Sequence, residues 1–157
     1  MDINKIAVIG GGTMGNGIAH VFSMNGFEVN LVEMKKELAD KALATISKNL
    51  DRQIKKEKIS EDDKKSILSR INTIVGVENT PIDVDLVIEA IFENKDVKSS
   101  IFNTLQPLIK SDSIFASNTS SLAVLINILR FLVLPFFRTR TLVRVWRSMT
   151  RSLTATG

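Results

Sequence analysis

No cysteine occurs among the 157 residues, which excludes disulfides, zinc–thiolate sites and a cysteine nucleophile. Histidine occurs once, as His20. Nothing near it in sequence resembles a metal-ligand set or a catalytic triad, so a bland role is expected, on a helix surface or hydrogen-bonded in place. The apolar run Ile6–Ile9 is too short for a signal-peptide core, and no Arg/Ser-rich leader precedes it. A cytoplasmic location is the expectation. Charge is missing in a patterned way. Residues 1–121 hold 13 lysines and two arginines against all 17 acids, leaving −2. Residues 122–157 hold six arginines and no lysine, aspartate or glutamate, so the net +4 belongs to the tail alone. Such a break marks a boundary. The length is that of one domain with a real core, and 44% hydrophobic with 24% charged residues is ordinary for a globular chain.

The most informative stretch is Ile6-Ala7-Val8-Ile9-Gly10-Gly11-Gly12-Thr13-Met14-Gly15. An apolar strand candidate runs into glycines spaced G-x-G-x-x-G, and these open a helical pattern. Each spaced glycine has a task. Gly10 permits the tight turn, Gly12 lets a pyrophosphate approach the backbone, and Gly15 lets the helix pack closely on the strand. The helix N-terminus then offers N–H groups and a partial positive charge to phosphates. Alone, the spacing also fits a glycine-rich turn that binds nothing. Its context favours a dinucleotide: a second strand candidate, Phe27–Glu33, ends in an acid 18 positions after Gly15, near the ~20-residue offset of a ribose-binding carboxylate.

Alternation continues along the chain. A helix is expected over Thr13–Asn25, closed by Gly26, with Met14, Ile18, Val21 and Phe22 on one face. A long charged helix follows Glu33, its inward stripe being Leu38, Ala42, Ile46, Leu50 and Ile54. Lysines in Lys55–Lys58 fit solvated charges that complement the helix C-terminus. Ser60–Asp63 reads as a capping box opening a shorter helix to Arg70. Strands are expected at Ile71–Val77, Asp85–Ala90 and Ser113–Ala116. A helix is expected over Asn94–Lys110, with Val97, Ile101, Leu105 and Leu108 facing inward. This pattern implies an α/β fold, a Rossmann-type doubly wound parallel sheet that is incomplete at its C-terminal end. Ligands in such sheets sit at the carboxyl ends of the strands. Glu33, Glu89 to Glu93, and Asn118 to Ser120 all emerge there.

Lys5–Ala19, Asp85–Asn94 and Ser113–Ser121, in that order, resemble the NAD-binding domain of the 3-hydroxyacyl-CoA dehydrogenases, most of all the bacterial short-chain branch acting on 3-hydroxybutyryl-CoA. The likeness runs from about Lys5 to Leu122. It implies an oxidoreductase moving a hydride between NAD and a short-chain 3-hydroxyacyl-CoA. By the resemblance, Gly10, Gly12, Thr13, Met14 and Gly15 cradle the pyrophosphate and Glu33 binds the ribose hydroxyls. A carboxylate there repels a 2′-phosphate and favours NAD over NADP, although Lys35 and Lys36 lie close by. Glu93 and Lys98 match positions near the nicotinamide, and Ser120 matches the serine that meets the substrate's 3-oxygen. Asn49 and Lys56 align with contacts to the CoA of an acyl-CoA substrate. The family also implies a homo-oligomer.

In that family a histidine in a His-Phe-Phe-Asn-Pro strand exchanges the proton of the 3-oxygen, and a later glutamate holds its tautomer. Neither is here: no histidine follows His20 and no acid follows Asp112. The expected division is therefore 1–121 as the NAD-binding domain and 122–157 as an aberrant apolar and Arg-rich tail. The tail would arise from a frame shift or junction and replace the rest of the domain and the helical, dimerising domain. The chain as written is then expected to be inactive, the alternative being a catalytically silent NAD-binding or interaction protein. Two rival readings of the tail are set aside. Leu122–Phe137 is broken by Asn127, Arg130 and Pro135 and falls short of the ~20 residues that span a membrane. No folded motif frames the arginines and Trp146 for nucleic acid. Aggregation or partial disorder beyond Leu122 is expected, with no strand or helix period in the tail.

Overall fold

The computed structural model describes residues 3–117, and the backbone of 131–133. Six strands run in parallel: β1 (Lys5–Ile9), β2 (Glu28–Glu33), β3 (Ile71–Val75), β4 (Leu86–Glu89), β5 (Ile114–Ser117) and β6 (Phe131–Val133), in the order β3-β2-β1-β4-β5-β6. The helices are α1 (Thr13–Met24), α2 (Lys36–Ile54), α3 (Glu61–Ser69) and α4 (Lys95–Leu105). Strand order reverses between β1 and β4, which are paired from Ile6↔Leu86 to Ile9↔Glu89. The carboxyl ends of those two strands therefore open a crevice at the switch point, where such sheets take ligands.

Alternation along the strands builds a core on each face of the sheet. Ile6, Val8, Leu31 and Ile88 pack against Ile18 and Phe22 of α1 and Ile46 and Leu50 of α2. Ala7, Ile9, Val87 and Phe115 pack against Phe102 and Leu105 of α4. Local signals hold where they were strongest. Gly26 follows α1 at φ +91°, a conformation that costs glycine little. Ser60 and Asp63 exchange the reciprocal hydrogen bonds of a capping box at α3.

The inward stripe expected for α2 holds at Ala42, Ile46 and Leu50 and departs at Leu38, whereas α4 keeps only Leu105 of its expected stripe buried. In α2 the buried residues are Ala39, Ala42, Ile46 and Leu50, while Leu38 is exposed. In α4 the buried residues are Lys98, Phe102 and Leu105, with Ile109 just beyond, while Leu108 is exposed. Leu38, Val97 and Ile101 instead line a groove over the strand ends. The tail also differs from expectation, since Phe131–Val133 pairs in parallel with Phe115–Ser117 of β5. The other residues of 118–157, Ser120 among them, lie outside the described residues.

Asp85 fastens the opposite end of the sheet. Its Oδ2 accepts the backbone N–H groups of Asn4 and Lys5, each at 2.8 Å, and Oδ1 pairs with the Lys110 ammonium. Burial alone would raise this carboxyl's pKa. The Lys110 hydrogen bond and the two N–H groups together outweigh that and hold it below its ordinary value. A carboxylate whose pKa falls on folding contributes stability above its unfolded pKa, and that contribution is lost as the pH drops through the folded value. Asp85→Asn is expected to cost about 2 kcal/mol at pH 7 and to flatten the loss of stability below about pH 4. Urea titrations at pH 7 and pH 3.5 check both; an unchanged acid limb would refute the assignment.

Candidate dinucleotide site

Each glycine of the turn after β1 is held to its identity by something different. Gly10 sits at φ +96°, and a Cβ there would lie 3.0 Å from both the Ala90 carbonyl oxygen and Ile91 Cγ2. At Gly15 a Cβ would fall 1.7 Å from the Gly10 carbonyl oxygen, so α1 rests its first turn directly on the turn that precedes it. At Gly12 a Cβ would meet nothing within 4 Å. Packing explains the first two glycines but not the third, which borders open space at the N-cap of α1. That helix begins with no side-chain cap and no acid in its first turn, leaving its positive end to attract an anion.

Sequence spacing assigns Gly11 no role, yet it is constrained as tightly. Its N–H donates to Glu33 Oε1 at 2.6 Å, and a Cβ there would lie 2.8 Å from Ala42 Cβ. The run of three glycines, where the motif needs only two, is the signal that could have found it. Glu33, half-buried at the end of β2, also accepts the Met34 N–H at 3.2 Å through Oε2. Its carboxylate is thus oriented from two sides beside the turn. Of the two lysines near it in sequence, Lys36 pairs with Asp40 at 2.7 Å.

Two cavities meet at Gly12 and Glu33. The larger, of about 820 Å³, crosses the ends of β1, β2 and β4 between apolar walls that include Leu38, Ile91, Phe92 and Val97. Phe92 and Met34 stand exposed at its edge. The smaller, of about 390 Å³, lies along α2 and is lined by Thr13, Lys41, Thr45 and Asn49. Of the residues singled out in the sequence, Gly10, Gly12 and Glu33 border the larger cavity, with Thr13 and Asn49 beside Gly12 in the smaller. Met14 and Gly15 fill the first turn of α1. Lys56 is exposed past the end of α2 and lines neither cavity.

A buried charged cluster sits at the ends of β4 and β5. Lys98 is fully buried, with Nζ 2.8 Å from Glu93 Oε2 and 3.4 Å from Glu89 Oε2. The Ser117 hydroxyl donates to Glu89 Oε2 at 2.5 Å, and the Ile91 N–H donates to Glu89 Oε1 at 2.8 Å. Glu89 and Ser117 are residues to which the sequence gives a place, at strand ends, but no task. His20 is buried with Nε2 3.3 Å from Gln53 Nε2. Burial lowers its pKa, which keeps it neutral near pH 7. Among the described residues no cluster of His, Asp or Glu could hold a metal ion.

A parallel sheet with this strand order, a glycine cradle opening a helix and an acid closing the next strand define a dinucleotide-binding domain of the Rossmann type. The family model for the 3-hydroxyacyl-CoA dehydrogenase NAD-binding domain matches residues 5–127. The chain belongs to that family. It is 42% identical over 122 residues to a 3-hydroxybutyryl-CoA dehydrogenase of Bradyrhizobium diazoefficiens, covering 78% of this chain and 41% of the relative. It is 41% identical over 120 residues to the 3-hydroxybutyryl-CoA dehydrogenase of Clostridioides difficile, covering 76% of this chain and 42% of that one. Among solved structures, the (S)-3-hydroxybutyryl-CoA dehydrogenase of Ralstonia eutropha superposes with a TM-score of 0.80 at 38% identity, over 88% of this chain and 50% of that chain. The chain thus spans about two-fifths of the length of these curated relatives. None of the helices among the described residues is long and apolar enough to cross a membrane.

Proposed function

We propose that this chain binds NAD across the switch-point crevice, as the cofactor half of a short-chain 3-hydroxyacyl-CoA dehydrogenase. The observation that carries the reading is the contrast between Gly12 and its neighbours. Gly10, Gly11 and Gly15 are glycine because the protein itself leaves no room, whereas Gly12 opens onto empty space at an uncapped helix end. A diphosphate drawn to that end explains the missing side chain.

In this reading Gly10–Gly15 hold the pyrophosphate and Glu33 accepts from the ribose diol. Glu93 presents its carboxylate to the nicotinamide half, with the buried Lys98 ammonium 2.8 Å behind it. When bound, NAD supplies the hydride acceptor and NADH the donor. Asn49 and Lys56 receive the CoA of a 3-hydroxyacyl-CoA, Ser120 meets its 3-oxygen, and a homo-oligomer is the working assembly. The proton of the 3-oxygen also needs an acceptor. The only histidine of the chain is His20, buried against α2 and kept neutral by burial. A positioned general base contributes about 10²–10⁴-fold to such a step. We therefore read the chain as written as one that binds the cofactor without turnover, residues 122–157 standing where the family carries its catalytic histidine. Translating the gene in three frames from codon 110 tests that division: a His-Phe-Phe-Asn-Pro stretch in another frame supports it.

The protein itself is tested by titrating NADH against its fluorescence and then adding acetoacetyl-CoA. Saturable binding without NADH oxidation is the expected result. Absence of binding sinks the cofactor reading, and steady oxidation sinks the claim that this chain lacks its base.

A further inference from the structure

Lys98 occupies a place that disfavours a lysine three times over. It is fully buried, and burying an ammonium is expensive unless it is paired. It falls in the first turn of α4, where the helix dipole opposes a cation. It also interrupts the apolar stripe completed by Phe102 and Leu105, where a leucine or methionine would pack with no charge to satisfy. Buried ion pairs are often no better for stability than an apolar substitute. The cluster therefore calls for a reason other than stability, and its position at the carboxyl ends of β4 and β5 points to the ligand.

Its members differ in exposure. Glu89 is buried, accepts from Ser117 and the Ile91 N–H, and forms an ion pair with Lys98 at 3.4 Å. The Glu93 side chain, 56% exposed, is the member that faces outward. Glu89 also sits in register between Ile9 of β1 and Ser117 of β5. It can thus fix the strand ends, the loop after β4 and the ammonium together.

We propose that Glu89 is a positioning residue for the nicotinamide half of the site, holding Lys98 and through it Glu93 without touching the cofactor itself. This inference rests on the cofactor reading above. It separates two halves of the ligand: the adenosine diphosphate part, held at Gly12 and Glu33, and the part beyond it, served by the cluster.

The test uses the full chain and two probes, NADH and ADP-ribose, which lacks the nicotinamide. Glu89→Gln keeps the shape and an acceptor for Ser117 but removes the charge facing Lys98. The expected result is at least a tenfold weaker affinity for NADH with less than a twofold change for ADP-ribose. A general loosening of the fold would weaken both probes alike, and that outcome overturns the proposal. So does an unchanged NADH affinity. Should Glu89→Gln fold poorly, Glu89→Asp keeps the buried charge but draws it back from Lys98 and Ser117 by one methylene. It is expected to show the same selective loss of NADH, and retention of NADH affinity in it overturns the proposal. If the unaltered chain binds neither probe, the cofactor reading falls and takes this inference with it. If the unaltered chain binds both and Glu89→Gln still binds NADH fully, only this inference falls.

Discussion

Gly15→Val is expected to remove a large part of the chain's folding stability. A Cβ at position 15 would stand 1.7 Å from the Gly10 carbonyl oxygen and 2.9 Å from its carbon, and both are backbone atoms of a tight turn. The turn is pinned in its own right, because Gly10 donates its N–H to the Val32 carbonyl at 2.8 Å and lies against Ala90. Relief must come from α1, whose buried Ile18, Ala19 and Phe22 would lift away from the sheet with it. Replacing a helical glycine gains back at most about 1 kcal/mol of propensity. Overpacking of this kind, with backbone on the receiving side, is expected to cost at least about 4 kcal/mol, a large part of a typical domain's stability. Gly15→Ala is the milder form, since it adds a single methyl to the same gap. Circular dichroism melts and urea titrations decide. A melting point within a few degrees of the unaltered chain would mean that α1 does not rest on the turn.

How far the sequence discloses this molecule depends on what each apolar residue faces. The strand–turn–helix at Gly10–Gly15, the acid at Glu33 and the capping box at Ser60 are legible because local chemistry dictates them. The parallel sheet follows from the alternation of strands and helices. The one misassigned residue of α2 and the misassigned face of α4 fail for one shared reason. Leu38 in α2, and Val97 and Ile101 in α4, are apolar because they wall a groove. Periodicity cannot distinguish a residue facing a ligand crevice from one facing the core. In α4 the error is compounded by Lys98, a charge on the buried face that interrupts the apolar period. Its partners come from elsewhere in the chain: Glu89 ends β4, and Ser117, which holds Glu89, ends β5. Only the register of those strands brings them together. Gly11 is a similar case, since its constraint is Ala42, 31 positions away on α2. Long-range packing at the site is what a single sequence conceals. Strand β6 was concealed differently, because a three-residue strand offers too little pattern to detect.

Gly12→Val is the complementary case, a loss of ligand with the fold retained. Gly12 has φ −61° and ψ −168°, extended backbone that suits a β-branched residue. A Cβ there meets nothing within 4 Å. The folded protein therefore accommodates valine, at a cost of about 1 kcal/mol for a poorer N-cap residue. The ligand has no such freedom, because Gly12 borders both cavities at the helix end where a pyrophosphate must reach backbone N–H groups. Hydrogen bonds to a charged group contribute about 1.5–3 kcal/mol each, so displacing the phosphates from two of them weakens binding by at least about a hundredfold. Both NADH and ADP-ribose are expected to lose affinity together, since the fault lies in the part they share. That pattern differs from the Glu89→Gln pattern, in which only NADH is affected. Taken together, the two variants locate the two halves of the ligand on the sheet without a bound structure. A Gly12→Val protein that melts normally and binds NADH as tightly as before would remove the diphosphate from this turn, and with it the reason Gly12 is glycine.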